Sequence, residues 1–237
     1  MIDFVGEWAQ DGSEARGVVE ARIAKAAPLL RAEWAACFED RDVSAQGVRR
    51  FYETSRTAVY DMLGRARLAQ AEGWPQVCGQ WLKRHGCRSV VDFGCGLGAF
   101  GFGLAEQGFE VTLAELSGRH YGLLERIAER FPQATVCHPE GITGEGAHAP
   151  LTFDAIVCLE VMEHVFEPRC VTAGLMKRLR PGGIFFASWS FPQGSPDNPL
   201  HLRGAWTNEG YQQFLEDEFG LEWLNPGPCW ARVLRKP

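Results

Sequence analysis

The chain of 237 residues has no Cys-x-x-Cys pair among its eight cysteines, at positions 37, 78, 87, 95, 137, 158, 170 and 229. That leaves a zinc knuckle or a thioredoxin-type redox site without support. Thiols inside apolar runs, such as Cys137 and Cys158, read instead as small buried hydrophobes of a reduced, cytoplasmic protein. No apolar run is long enough to span a bilayer, and Met1-Ile2-Asp3-Phe4 has neither a basic segment nor the apolar core of a signal peptide, so no membrane partner is expected. Positive charge is also scarce. The 24 Lys and Arg stand against 30 Asp and Glu, for a net charge of −6. This disfavours nucleic acid as a partner, because neutralising phosphates needs a basic face. Arg49-Arg50, Lys83-Arg84 and Lys177-Arg178 are scattered pairs that read as solvated surface. Repeats and low-complexity tracts are absent. A hydrophobic content of 46% with 23% charged residues is that of a soluble globular protein, long enough for one α/β domain with an attachment.

Residues 1 to about 86 read as helical. Val19, Ile23, Leu30, Trp34 and Phe38 recur at helical spacing, with Pro28 starting a second helix. Thr57–Gln70 puts Val59, Met62, Leu63 and Ala66 on one face, and Pro75–His85 forms a further helix closed by Gly86. Phe4, Trp8, Trp34, Phe51, Tyr52, Tyr60, Trp74 and Trp81 also fall here. Two readings of these aromatics stay open, core packing and a lid over a flat substrate. From Arg88 onward, predicted strands alternate with predicted helices, which argues for a parallel sheet. The strands are Ser89–Asp92, Glu110–Glu115, Thr135–His138, Ala155–Leu159 and Ile184–Ser190; the helices are Phe100–Gln107, Arg119–Arg130, Val171–Leu179 and Thr207–Phe219. Pro181-Gly182-Gly183 reads as the turn between the third of these helices and the last strand. Leu221–Leu224 and Trp230–Leu234, flanking Asn225-Pro226-Gly227-Pro228, read as a final hairpin. The expected layout is a helical cap or substrate lid over residues 1–74 and a ligand-binding α/β domain over residues 75–237.

The most specific segment is Val90-Val91-Asp92-Phe93-Gly94-Cys95-Gly96-Leu97-Gly98. An apolar strand ends in an acid and runs into alternating glycines, which permit a tight turn at positive φ and bring a ligand against bare backbone. The next helix points its first N–H groups at that ligand. A nucleoside-type cofactor is therefore expected. Gly96-x-Gly98-x-x-Gly101, with Glu115 downstream, formally satisfies the dinucleotide fingerprint of a nicotinamide dehydrogenase. Asp92 argues against that reading, since a carboxylate at the mouth of a pyrophosphate loop repels both phosphates. It suits S-adenosylmethionine (SAM), which has no phosphate and carries a sulfonium and an ammonium. The acid-x-Gly-x-Gly-x-Gly pattern of Asp92, Gly94, Gly96 and Gly98 resembles the first motif of the class I SAM-dependent methyltransferases, over about residues 75–237. The resemblance implies an α/β, Rossmann-like, seven-stranded and mostly parallel sheet. It also implies cofactor contacts from Asp92, Gly94, Cys95, Gly96 and Gly98.

An acid at the end of the second strand, Glu115, can take both ribose hydroxyls, with Leu116 beside it. After the third strand no Asp is present for the adenine, and Glu140 with the backbone at Gly141 is the candidate. Asp154 heads the fourth strand, at the end away from the cofactor, and reads as structural. The C-terminal end of that strand carries Glu160, Glu163 and His164, spaced to share a face if one helical turn begins there. Two carboxylates and an imidazole suit a divalent metal such as Mg, Mn, Fe or Zn. The Glu-x-x-Glu-His pattern is similar to that of ubiquinone-biosynthesis O-methyltransferases and of small-RNA 3′-terminal 2′-O-methyltransferases, and the latter resemblance implies His201 as a further ligand. His164 as a metal-free general base, with Glu163 beside it, stays open, as does a purely structural Glu-His turn. Glu160 also lies where it would touch the cofactor. Arg203 suits a substrate carboxylate, Thr207 is an expected N-cap, and Trp189, Ser190 and Phe191 fit either packing or a substrate wall.

The expected function is methyl transfer from SAM to a small-molecule acceptor, with oxygen favoured over nitrogen or carbon. Three alternatives remain at this stage: a SAM-dependent cyclisation or decarboxylation, RNA 2′-O-methylation, and a non-catalytic SAM-binding module. A homodimer is left open.

Overall fold

The computed structural model describes residues 1–12, 14–38, 43–144, 152–191, 200–202, 206–224 and 230–237. Among the described residues, six helices precede the first strand: α1 (Phe4–Asp11), α2 (Arg16–Ile23), α3 (Ala26–Phe38), α4 (Ala45–Thr54), α5 (Ala58–Ala71) and α6 (Trp74–Arg84). Local chemistry starts two that apolar periodicity did not single out. The Asp3 carboxylate accepts the Gly6 N–H and the Ser44 hydroxyl accepts the Gly47 N–H, both at 3.1 Å, capping α1 and α4. Pro28 falls inside the first turn of α3, where its missing N–H costs nothing, so that helix begins two residues earlier than expected. Gly86, at φ 74°, follows the end of α6 as the sequence implied.

The α/β unit then runs β1 (Ser89–Phe93), α7 (Ala99–Ala105), β2 (Glu110–Ala114), α8 (Tyr121–Ala128), β3 (Ala134–Cys137), α9 (Glu140–Thr143) and β4 (Phe153–Leu159), followed by a 3₁₀ turn (Met162–His164). It continues with α10 (Pro168–Arg178), β5 (Leu179–Ser188), α11 (Asn208–Phe219), β6 (Glu222–Trp223) and β7 (Arg232–Arg235). The seven strands lie in the order β3-β2-β1-β4-β5-β7-β6, with β1 to β5 parallel and β7 antiparallel to both its neighbours. Central β1 is covered on both faces, which is why its sequence, Ser-Val-Val-Asp-Phe, does not alternate apolar with exposed polar residues. Two boundaries differ from expectation. Helix α10 starts at Pro168, because proline suits a first helical turn. Strand β5 starts at Leu179, paired with Phe153, and Pro181-Gly182-Gly183 sits in an irregular part of that pairing instead of in a preceding turn. The turn of the last hairpin, 225–229, lies outside the described residues.

Apolar packing ties the cap to the sheet. Phe4, Trp8 and Leu63 share one core with Val90, Leu113 and Val157. Trp34 and Phe51 are buried in a smaller cluster, so for these aromatics packing is the role. At the N-terminal end of β4, the Asp154 carboxylate accepts the N–H groups of Arg88 (2.7 Å) and Ser89 (2.9 Å) and Nε–H of Arg180 (2.6 Å). It joins β1, β4 and β5 at the end opposite the glycine turn. Among the described residues no helix is long and apolar enough to cross a membrane.

Candidate active site

Gly94, Gly96 and Gly98 take φ values of 69°, 57° and 73°, a region that L side chains rarely adopt. Their surroundings differ. A Cβ on Gly94 would stand 2.5 Å from Val161, and one on Gly98 would stand 2.7 Å from Phe102 and 2.8 Å from Leu124. Packing alone demands glycine at those two positions. Among the described residues, a Cβ on Gly96 would meet only Met62 of α5, at 3.7 Å. The space over Gly96 is open to a ligand. Cys95, between the first two, is half-buried, and burial pushes its thiol well above the usual range.

Asp92 is 3% exposed and lies beneath this turn, where its Oδ2 accepts the Gly101 N–H of α7 at 2.9 Å. Its carboxylate shapes the start of the helix. Burial pushes its pKa up to about 7, against about 3.9 in an unfolded chain. Between those values the folded state holds one more proton, so stability falls as pH rises from about 4 to 7. Asn in its place keeps an acceptor for Gly101 and does not ionise. Asp92→Asn is therefore expected to melt higher than wild type at pH 8, and the gap should close towards pH 5. A gap that does not change with pH in thermal unfolding would contradict this.

Glu115, 7% exposed at the end of β2, accepts the Gly96 N–H at 2.5 Å and the Leu116 N–H at 2.8 Å, and burial raises its pKa. It latches the glycine turn to β2, with half-buried Leu116 alongside. At the start of α9, Glu140 is half-exposed and pairs with Arg49 of α4. Burial works to raise its pKa, but its own backbone N–H and Arg49 outweigh that and hold it below the usual range. The Gly141 N–H is taken by the His138 carbonyl at 2.9 Å.

At the end of β4 the expected helical turn is not formed from Glu160. That residue takes a left-handed φ of 55° and donates its N–H to Ser188 Oγ at 2.9 Å. The 3₁₀ turn begins only at Met162, and the Glu160 and Glu163 carboxyls stay close enough to interact. What the fold brings together is Glu163, His164 and His201, each with a ligand atom within 4.8 Å of the others. Glu163 is fully buried. Its Oε1 accepts the Ser190 N–H at 3.2 Å, and its Oε2 has no hydrogen-bond partner among the described residues. Burial, and then the charge of Glu160, push its pKa up to about 8. His164 Nδ1 stands 3.0 Å from the Leu200 carbonyl and 3.0 Å from Tyr52 Oη. Burial pushes its pKa down to about 4, so the ring is neutral at pH 7. A ring that donates Nδ1–H to Leu200 presents the Nε2 lone pair. The His201 ring packs edge-on against it, centroids 4.9 Å apart.

Some of these residues were not visible in the sequence pattern. Tyr52 reaches His164 from a cap helix 112 positions away, and no periodicity reports such a contact. Arg65 of α5, paired with Asp61 at 2.7 Å, is the cation whose charge reaches Glu160 and Glu163. Trp189 and Phe191 pack on Tyr211, which decides for packing, while Ser190 is exposed. Thr207 caps α11 by accepting the Gly210 N–H at 2.9 Å. Arg203 lies outside the described residues.

With this geometry in place, the comparisons with known proteins agree on the domain. The model of a methyltransferase domain family matches residues 91–185. A ubiquinone biosynthesis O-methyltransferase of Idiomarina loihiensis is 31% identical over 102 residues, which are 43% of this chain and 42% of that protein. The mitochondrial one of Schizosaccharomyces pombe is 34% identical over 98 residues, 40% of this chain and 35% of that protein. The chain thus spans less than half the length of these curated relatives. Among solved structures, an O-methyltransferase family protein of Burkholderia thailandensis superposes with a TM-score of 0.63 at 15% identity, covering 91% of this chain and 70% of that one. The N-methyltransferase NodS of Bradyrhizobium japonicum, solved with S-adenosylhomocysteine (SAH), gives 0.51 at 19% identity, covering 83% of this chain and all of the other.

Proposed function

On this class I SAM-dependent methyltransferase fold, we propose that the chain transfers the methyl group of SAM to a hydroxyl of a small molecule, assisted by a divalent metal at Glu163, His164 and His201. The observation that carries the reading is the convergence of those three side chains beside the glycine turn, whose Gly94 abuts Val161 of the same loop. Gly96 offers open backbone to the cofactor, Glu115 and Leu116 border its ribose and adenine, and Glu140 and Gly141 lie at the adenine edge. Asp92 acts from below by fixing the turn. SAM, when bound, supplies an electrophilic methyl carbon whose leaving group needs no acid, so positioning supplies much of the rate.

The donor set fits a divalent ion. It mixes one carboxylate with two imidazoles, His164 is held neutral, and Glu163 Oε2 is a buried oxygen without a hydrogen-bond partner among the described residues. Glu163, His164 and His201 would hold the metal, which supplies Lewis acidity that makes an acceptor hydroxyl easier to ionise. Leu200 and Tyr52 orient His164, and Ser190 orients Glu163. Ubiquinone-biosynthesis relatives favour oxygen as the acceptor atom.

Metal content by mass spectrometry, on protein purified without a His tag or added metal, tests this directly. Near-stoichiometric metal in wild type, lost in Glu163→Ala, is the expected result. It would narrow the acceptor search to chelating groups such as catechols, α-keto acids and vicinal diols. No metal in either protein, and none taken up on titration, would leave His164 Nε2 as a metal-free base.

A further inference from the structure

We propose that the methyl acceptor is an organic acid whose carboxylate is gripped by Arg65, which makes Arg65 a specificity-determining residue on the acceptor side of the site. The proposal rests on the reading above of SAM-dependent transfer at Glu163, His164 and His201. Helix α5 brings Arg65 to that place. Its Met62 stands over Gly96, 3.7 Å from where a Cβ would be. Met62 also packs on the cluster that holds Leu200 and Tyr52, the two groups in contact with His164 Nδ1. This face of α5 therefore spans from the glycine turn to the Glu-His-His cluster. Arg65, three residues beyond Met62, lies on the same face.

The guanidinium is open to a ligand, with 64% of its side chain exposed. Among the described residues its one hydrogen bond runs from Nε to Asp61 Oδ2, at 2.7 Å. That bond holds the guanidinium plane and leaves Nη1 and Nη2 as a pair of donors. Such a fork matches the two oxygens of one carboxylate. Burial works against the charge of Arg65, and Asp61, Glu160 and Glu163 outweigh it. An anion at this position is therefore attracted through less screening than at an open surface. The charge of Arg65 acts on Tyr52, His164 and His201 as well. Asp92 and Glu115, at the glycine turn, are shifted without it. Arg65 thus faces the acceptor cluster and not the ribose end. A single cation flanked by Asp61 and Glu160 suits a singly charged group. A phosphate dianion would meet twice the repulsion from the same two acids. Among chelating acceptors this favours catechol acids and α-keto acids over catechol itself and neutral diols.

Calorimetric titration of SAH-saturated wild type, Arg65→Gln and Arg65→Lys with catechol, 2,3-dihydroxybenzoate and 3,4-dihydroxybenzoate tests this. The three probes share one chelating group and differ in the carboxylate and its position. Wild type is expected to bind at least one of the two acids about tenfold more tightly than catechol. Arg65→Gln should bring that ratio to about one, while its affinities for catechol and SAH change by no more than about twofold. Arg65→Lys should keep part of the ratio, since it retains the charge without the fork. Equal binding of all three probes by wild type, or binding of none, would overturn the proposal. So would a ratio that Arg65→Gln leaves intact. Titration of the unliganded proteins with SAH and with 5′-methylthioadenosine, which lacks the amino-acid end, adds a further check. If Arg65→Gln weakened SAH and spared methylthioadenosine, the guanidinium would belong to the cofactor's carboxylate, and the acceptor would lose its anchor. Failure of wild type to bind SAH at all would remove the cofactor reading itself, whereas SAH binding without preference for an acid overturns this inference alone.

Discussion

Replacing His164 with alanine is expected to lower turnover about 10²–10⁴-fold while changing SAM affinity by no more than about twofold. His164 stands at the end of β4, whereas the glycine turn and Glu115 follow β1 and β2. The two parts of the site are therefore separable by mutation. Both readings of the cluster, metal ligand and base, place Nε2 at the acceptor, so either predicts the loss. The metal measurement then separates them. Tyr52→Phe removes one of the two contacts at Nδ1 and leaves Leu200 in place, so a milder loss is expected from it. Initial rates with a catechol or other accepted substrate, beside calorimetry with SAM, provide the check. Full activity in His164→Ala would remove this residue from the mechanism.

Gly96→Asp is expected to weaken SAM binding at least about a hundredfold, which is about 2.7 kcal/mol or more. Three effects add. The residue must hold φ at 57°, which an L side chain resists. The new carboxylate would fill the space over Gly96, which among the described residues only Met62 borders. It would also stand close to Glu115, which bonds the same residue's N–H, and like charges at that range repel. Gly94→Ala and Gly98→Ala are useful contrasts, since crowding from Val161, Phe102 and Leu124 predicts that both lose stability. Normal SAM affinity in a folded Gly96→Asp protein would undo the motif assignment.

How much of this was legible in advance differs by element. The parallel sheet was, because short apolar runs alternate with helical patterns from Arg88 onward, and this signal is local. The helices α1 and α4 were less so, being short and set by single caps at Asp3 and Ser44 rather than by a long apolar stripe. At the site, the glycine turn was legible because positive φ is a property of residue type. The geometry around Glu160 was not. The spacing of Glu160, Glu163 and His164 allows one helical face, but the left-handed backbone at Glu160 delays the turn to Met162, and the ligand atoms that lie within 4.8 Å of one another are those of Glu163, His164 and His201. Tyr52 depends on a contact across the fold, and such a contact leaves no periodic trace in one sequence.

The position of β7 between β5 and β6 also bears on how the chain assembles. Strand β6 is synthesised before β7, yet β7 is the strand it pairs with. Until residues 232–235 exist, β5 presents a bare edge carrying Ile184, Phe185 and Phe186, and such an edge invites pairing with another molecule. The sheet can close only when the later strand slides into the gap between the earlier two. A chain interrupted before Arg232 is therefore expected to aggregate rather than to yield a smaller folded protein.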